Sequence, residues 1–295
     1  MCTAVEIFRR LSQPIEPIPT GETPQLARLD GIRVVLFDIY GTLLISGSGE
    51  VGTASTTADS VLAEAIATVG LETQISPSEI LSRLYDTIKA THEELRDAGR
   101  DWPEIDIRMM WKRVLSNLAE QAGLEAGAYE GVDVARLAVE CETRANPSWP
   151  MPGAAECLAE LGRHGIVLGI VSNAQFYTLE LIEALFGFRA ESLGFDPALQ
   201  FYSYQHGWGK PSRRLFEMAV GELADRGIEP REVVYVGNDM LNDVLAASEV
   251  GFHTALFAGD ARSLRRREGD PRLEDTVPDL VLTELGQLVE CIIEK

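Results

Sequence analysis

Residues 32–42 read Ile-Arg-Val-Val-Leu-Phe-Asp-Ile-Tyr-Gly-Thr. The first six of these, Arg33 apart, are apolar and rich in branched side chains, without the alternation of a half-exposed strand. Such a run marks a strand buried on both faces, as in a parallel sheet. Asp38 stands where that strand ends, and Gly41 and Thr42 form a small turn after it. In open α/β sheets ligands bind outside the carboxyl ends of the strands. The stretch therefore puts an ionisable group where a site is expected.

The same grammar continues downstream. Apolar strands are expected at 166–171, near 199–203, and at 233–236, 253–257 and 280–282. Helices are expected at about 153–163, 175–186, 211–226 and 241–249, with a last one closing the chain. Alternating helices and apolar strands predict an α/β fold, a Rossmann-like parallel sheet covered on both faces.

Between the first strand and the others the pattern changes. Residues 45–57 are a Gly/Ser/Thr-rich connector, and helical periodicity follows near 57–69, 77–98, 103–122 and 131–144. Breaks fall at Gly70, from Gly99 to Pro103 and from Gly123 to Gly127. Ser76, Pro77 and Glu79 form a helix start, with Ser76 as the cap. The expected organisation is an N-terminal arm (1–30), a core formed by 31–50 and 146–295, and an inserted all-helical domain (51–145). Pro14, Pro17, Pro19 and Pro24 predict that the arm is extended.

Composition narrows the function. The chain has 295 residues, 45% of them hydrophobic and 24% charged, in the range of ordinary globular proteins. Its net charge of −20 argues against nucleic acid and anionic membrane as partners. The basic run Arg265-Arg266-Arg267 reads as a solvated loop or helix start. Cys2, Cys141, Cys157 and Cys291 lie far apart, without a CxxC pair, which argues against a disulfide framework or structural zinc. No targeting segment or membrane span is visible, and a reducing cytoplasm is the expected home.

Four strand ends carry the chemistry. Asp38 ends the first and is a candidate nucleophile. The turn through Tyr40, Gly41 and Thr42 offers backbone N–H groups to an anion. Ser172 and Asn173 end the second strand, and the Ser172 hydroxyl suits the same anion. Lys210 opens the helix after the third and neutralises charge on nucleophile and transferring group. Asn238, Asp239 and Asp243 follow the fourth, and its carboxylates with Asp38 make an oxygen-rich site fit for Mg²⁺. Taken alone, each feature has a bland explanation, such as a cap, a turn or a solvated charge; together, and in this order, they point to a site. In the inserted helices, residues 101–108 are the candidate substrate contact, with Trp102 at their head. Trp111, Met109 and Met110 read as core, and His92 and His164 as surface.

This set resembles the haloacid dehalogenase superfamily of hydrolases. Asp38, Gly41, Thr42 and Leu43 match its DxxxGT motif, Ser172 its second motif, Lys210 its third and residues 238–243 its acidic fourth. The inserted helices resemble the family's cap. The resemblance implies hydrolysis through a covalent aspartyl intermediate on Asp38, with Ser172 and Lys210 orienting it and a small anionic molecule as substrate. It implies an Mg²⁺ site of Asp38, the Ile39 or Tyr40 carbonyl, Asp243 and either Asn238 or Asp239, and it leaves a monomer or a homodimer open. The sequence departs from the family's phosphatases at Tyr40, where they carry an acid/base aspartate. Tyrosine there is typical of the 2-haloacid dehalogenases, whose halide leaving group needs no proton. Against that reading, the first arginine of the helical insertion is Arg83, and Phe216 stands where a dehalogenase tyrosine is expected. Mg²⁺-dependent phosphoryl hydrolysis is the leading expectation. Carbon–halogen hydrolysis and a catalytically silent binding or scaffold role are the alternatives.

Overall fold

The computed structural model describes residues 3–48, 59–121 and 129–293. Most of the connector at 45–57, the break at Gly123–Gly127 and Cys2 lie outside the described residues. The core is a parallel sheet of six strands: β1 (Val34–Phe37), β4 (Val167–Ser172), β5 (Phe195–Tyr202), β6 (Val233–Gly237), β7 (His253–Phe257) and β8 (Leu280–Leu282). Their order is β5-β4-β1-β6-β7-β8. The chain thus builds outward from β1 in one direction and then, from β6, in the other. This reversal leaves a crevice at the carboxyl end of β1, where Asp38 emerges.

Neighbouring residues of β1 serve different layers, because side chains alternate across a strand. Val35 and Phe37 join a core with α6 (Ala154–Arg163), α7 (Thr178–Phe186) and α11 (Gly286–Ile292). Val34 and Leu36 join a second core with α9 (Arg214–Ala224) and α10 (Ala246–Ser248). Both faces of β1 are therefore dry, as its uninterrupted apolar run requires.

Between β1 and β4 the chain forms β2 (Leu44–Ser46), α2 (Asp59–Thr68), α3 (Pro77–Asp97), α4 (Ile107–Gln121), α5 (Val134–Ala145) and β3 (Ser148–Pro150). Ser76 caps α3 by accepting from the Glu79 N–H. The short antiparallel pair β2–β3, not foreseen from sequence, fastens the outgoing and returning chain side by side. Helix α4 starts later than expected because residues 103–106 are bound elsewhere: Glu104 N–H donates to the Gly207 carbonyl (3.2 Å). Met109 is 58% exposed rather than core, whereas Met110 and Trp111 are buried.

The expected extended arm is corrected over residues 4–11, which form helix α1 (Ala4–Leu11). A reciprocal capping box between Thr3 and Glu6 starts it ahead of the prolines. Its Ile7 and Phe8 are buried against α5 and α7, and Arg10 pairs with the buried Glu140 of α5 at 3.0 Å. Beyond α1 the arm is extended as predicted. Gln25 exchanges backbone hydrogen bonds with Val281, covering the edge of β8. Among the described residues no helix is long and apolar enough to cross a membrane.

Candidate active site

Asp38 is 6% exposed and faces a cavity of about 450 Å³ between the sheet's carboxyl edge and α2–α5. Lys210 Nζ donates to Asp38 Oδ1 at 2.7 Å and to Asp243 Oδ1 at 2.5 Å. Among the described residues nothing donates to Asp38 Oδ2. Lys210 also donates to Tyr235 Oη (2.8 Å), and that hydroxyl donates to the Val171 carbonyl (2.8 Å), with Asp243 Oδ1 at 3.1 Å. Burial pulls the Lys210 ammonium down, but Asp243 and Asp38 outweigh it and hold its pKa above the ordinary value. Burial pushes the Asp243 carboxyl up to about 6; Lys210 opposes this, and Asp38 and Asp239 add to it.

Backbone geometry makes room for this cluster. A Cβ on Gly237 would lie 2.3 Å from Asp243 Cγ, so the glycine lets that carboxylate fold back onto the strand end, where Oδ2 accepts from Asp239 N–H (2.9 Å). After Asp239 the chain forms a π-helix, Met240–Leu245, where an ordinary helix was expected. Such turns gather at functional sites. Gly41 has φ +86°, and a Cβ there would meet Ser263 at 2.6 Å and Asn238 at 2.8 Å.

The other expected site residues separate into two groups. Asn173 lines the cavity and positions the lysine: its side chain accepts from Lys210 N–H (2.7 Å) and donates to the Lys210 carbonyl (3.2 Å). Tyr40 lines the cavity too, with its hydroxyl 3.1 Å from Thr178 Oγ1; burial drives its pKa well above the ordinary value. Thr42 and Ser172 are fully buried behind it, Thr42 donating to Asn238 Oδ1 (3.3 Å) and Ser172 to the Asn173 carbonyl (3.3 Å). Trp102 is not brought to the cavity: it is 41% exposed, with the Arg272 guanidinium 5.9 Å from its ring.

Several participants were missed. The arginine run is not merely solvated. Arg267 lines the cavity and forms a forked pair with Asp239 (2.5 and 2.9 Å), and Arg266 pairs with Glu22. Arg265 carries the backbone ladder, its N–H donating to the Asn238 carbonyl (2.9 Å). Three consecutive arginines in a chain of net charge −20 were the available signal. Tyr235 read as strand core, although its phenol needs a partner when buried. His92 is a cavity residue rather than a surface one, and its Nε2 is buried without a hydrogen-bond partner among the described residues. Glu104 also lines the cavity; it accepts from Ser203 Oγ (2.9 Å), and burial raises its pKa.

A family model for haloacid dehalogenase-like hydrolases matches residues 32–251. The chain belongs to this family. Among its relatives, this hydrolase is 25% identical over 264 residues to a glyceraldehyde 3-phosphate phosphatase of Methanopyrus kandleri, covering 89% of the chain and 98% of that protein. It is 27% identical over 144 residues to a ribulose-1,5-bisphosphate 5-phosphatase of Halopiger xanaduensis, a match to 48% of the chain and 56% of that protein. The fold is that of a 2-haloacid dehalogenase from Pseudomonas syringae pv. Tomato, with TM-score 0.58 at 22% identity over 88% of this chain and 97% of the other.

The family's phosphatases imply Mg²⁺, and the hydrolase's donors bear on that. Asp239 is committed to Arg267 and to capping, accepting from Leu241 N–H at 2.8 Å. Among the described residues no group of three or more His, Cys, Asp and Glu side chains is placed to hold a metal. Mg²⁺ needs less than that, because it keeps several waters and rests on one or two carboxylates plus substrate oxygens. Three carboxylates, Asp38, Asp239 and Asp243, face two directly paired cations, Lys210 and Arg267, and this negative excess fits a divalent ion.

Proposed function

We propose that this hydrolase transfers a phosphoryl group from a small organic phosphate to Asp38 and then to water. The observation that carries the reading is the carboxylate of Asp38 at a buried strand end, one oxygen fixed by Lys210 and the residue facing the cavity. Oδ2 attacks phosphorus and the bond to the leaving oxygen breaks. Water then cleaves the aspartyl phosphate, releasing phosphate and restoring the carboxylate. Lys210 holds Asp38 in its ionised form and offsets charge on the transferring group. Asn173 keeps Lys210 in place through both backbone bonds. Asp38, the Tyr40 carbonyl and Asn238 are the residues to hold Mg²⁺, with Asp243 next to them. The ion would supply Lewis-acid stabilisation of the phosphoryl oxygens.

Tyr40 does not act as acid or base in this reading, because its hydroxyl is engaged with Thr178 and its pKa is raised by burial. Substrates whose leaving oxygen needs little protonation suit the site. Two relatives named as sugar-phosphate and triose-phosphate phosphatases support phosphoryl chemistry. The test is phosphate release across phosphomonoesters and acyl phosphates, with Mg²⁺ and with EDTA. Release that vanishes in Asp38→Asn and falls with EDTA is the expected outcome; release unaffected by Asp38→Asn overturns it.

One observation favours a second reading. Tyr40 replaces the proton donor, and a departing halide needs none. Chloride release from 2-chloropropionate without added metal, combined with no phosphate release, would make the hydrolase a dehalogenase. Neither product, with phosphate binding retained, would mark a silent binding member.

A further inference from the structure

The cavity over Asp38 has two chemically different ends. Its Lys and Arg side chains, Lys210, Arg265 and Arg267, all come from loops at the sheet's carboxyl edge. Among the described residues, α2–α5 and the link at 104–106 contribute no Lys or Arg to the lining. They contribute helical stripes instead. Leu81, Leu84 and Ile88 follow one another at spacings of three and four on α3, and Ala138, Cys141 and Ala145 do so on α5. Trp111, 1% exposed, packs in the same wall.

The polar groups at this end are poor partners for a second anion. Glu142 is partly buried, and desolvation raises its pKa; it accepts from Asn146 Nδ2 at 3.0 Å. Burial, with Arg96 nearby, lowers the His92 pKa, which favours the neutral ring. The thiol of Cys141 is pushed up to about 12 by burial and is no nucleophile. Besides Tyr85, His92, Cys141 and Glu142 the helical wall here is hydrocarbon, so a sugar's several hydroxyl groups would lose more partners in water than they regain. A hydrocarbon body would lose only unfavourable hydration.

Building on the phosphoryl-transfer reading, we propose that the substrate is a phosphate monoester of a bulky apolar phenol, with phosphate at the Lys210 end and the hydrocarbon body between α3 and α5. A cavity of about 450 Å³ is ample for a one- or two-ring body. Tyr40 agrees independently: a phenolate leaves with the P–O electron pair and takes its proton from solvent, so the absent donor costs little.

The experiment uses a pair matched in shape and leaving group. 4-Cyclohexylphenyl phosphate and its analogue with a glucopyranosyl ring in place of cyclohexyl both release a phenolate from a body of the same shape, and only one is a polyol. The expected kcat/KM ratio is at least about tenfold in favour of the cyclohexyl ester. Ala138→Phe, which fills the chamber, should lower kcat/KM for 1-naphthyl phosphate about tenfold more than for acetyl phosphate. A ratio near one, or a preference for the glucosyl ester, overturns the proposal. If no compound, acetyl phosphate included, yields phosphate, the hydrolytic reading fails by itself. Calorimetric binding then still decides the chamber: phenylphosphonate binding at least about tenfold tighter than methylphosphonate supports it, and equal binding overturns it.

Discussion

Asp243 is the residue whose protonation links the site to pH. Its pKa of about 6 lies above the ordinary 3.8, because burial disfavours its charged form. The folded protein therefore takes up a proton there that the unfolded chain binds only at lower pH. The contribution of Asp243 to stability is greatest below the unfolded value and declines as pH rises through about 6. Activity runs the other way, since the ionised carboxylate is what holds Lys210 on Asp38. The acidic limb of the kcat/KM profile is expected near pH 6, and Asp243→Asn should abolish that limb while lowering the plateau. Asp38→Asn should lower kcat by roughly 10,000-fold, measured as phosphate release. Tyr40→Phe should leave kcat within about threefold and cost about 1 kcal/mol in denaturant unfolding, the worth of one buried hydroxyl contact.

The turn after β6 shows what is legible in a sequence and what is not. Gly237, Asp243 and the π-helix form one device, and Gly237→Ala should destabilise the protein by about 2 kcal/mol or more, because its Cβ would overlap the Asp243 carboxylate. Arg267→Met leaves Asp239, 5% exposed, without its forked partner; a loss of about 2–3 kcal/mol in urea unfolding is expected. Asp38 and Lys210 could be placed from sequence because apolar runs announce strands and strand ends announce sites. The Asp239–Arg267 pair could not, since 28 residues separate its members and only the return from β7 brings them together. Tyr235 was hidden by its own strand, whose hydrophobic pattern says nothing of a phenol reaching across to Lys210. Trp102 drew attention as a large aromatic beside charges, yet its carbonyl is bound by the Gly209 N–H (2.8 Å) and its side chain is 41% exposed beside Arg272. Helix α1 was legible in its Thr3–Glu6 box, and the prolines that follow it obscured the signal.

Across the molecule, α1 joins parts of the chain that the sequence separates widely. Phe8 is 1% exposed and lies 6.1 Å, centroid to centroid, from Tyr177, while Arg9 donates to carbonyls at the end of α7. Phe8→Ala should cost about 3–5 kcal/mol, read as a drop in melting temperature. The same helix leans on α5, which carries the apolar wall of the chamber, and on α7, which carries the Thr178 that engages Tyr40. One eight-residue helix outside the cavity thereby packs on a helix of its wall and on another directly beside it. Its place is that of the fixed arm of a calliper, so trimming or thickening its inner face is expected to shift α5 against α7. Substitutions at Ile7 and Phe8, remote from every reacting atom, would then change which body lengths fit before they change how fast Asp38 reacts.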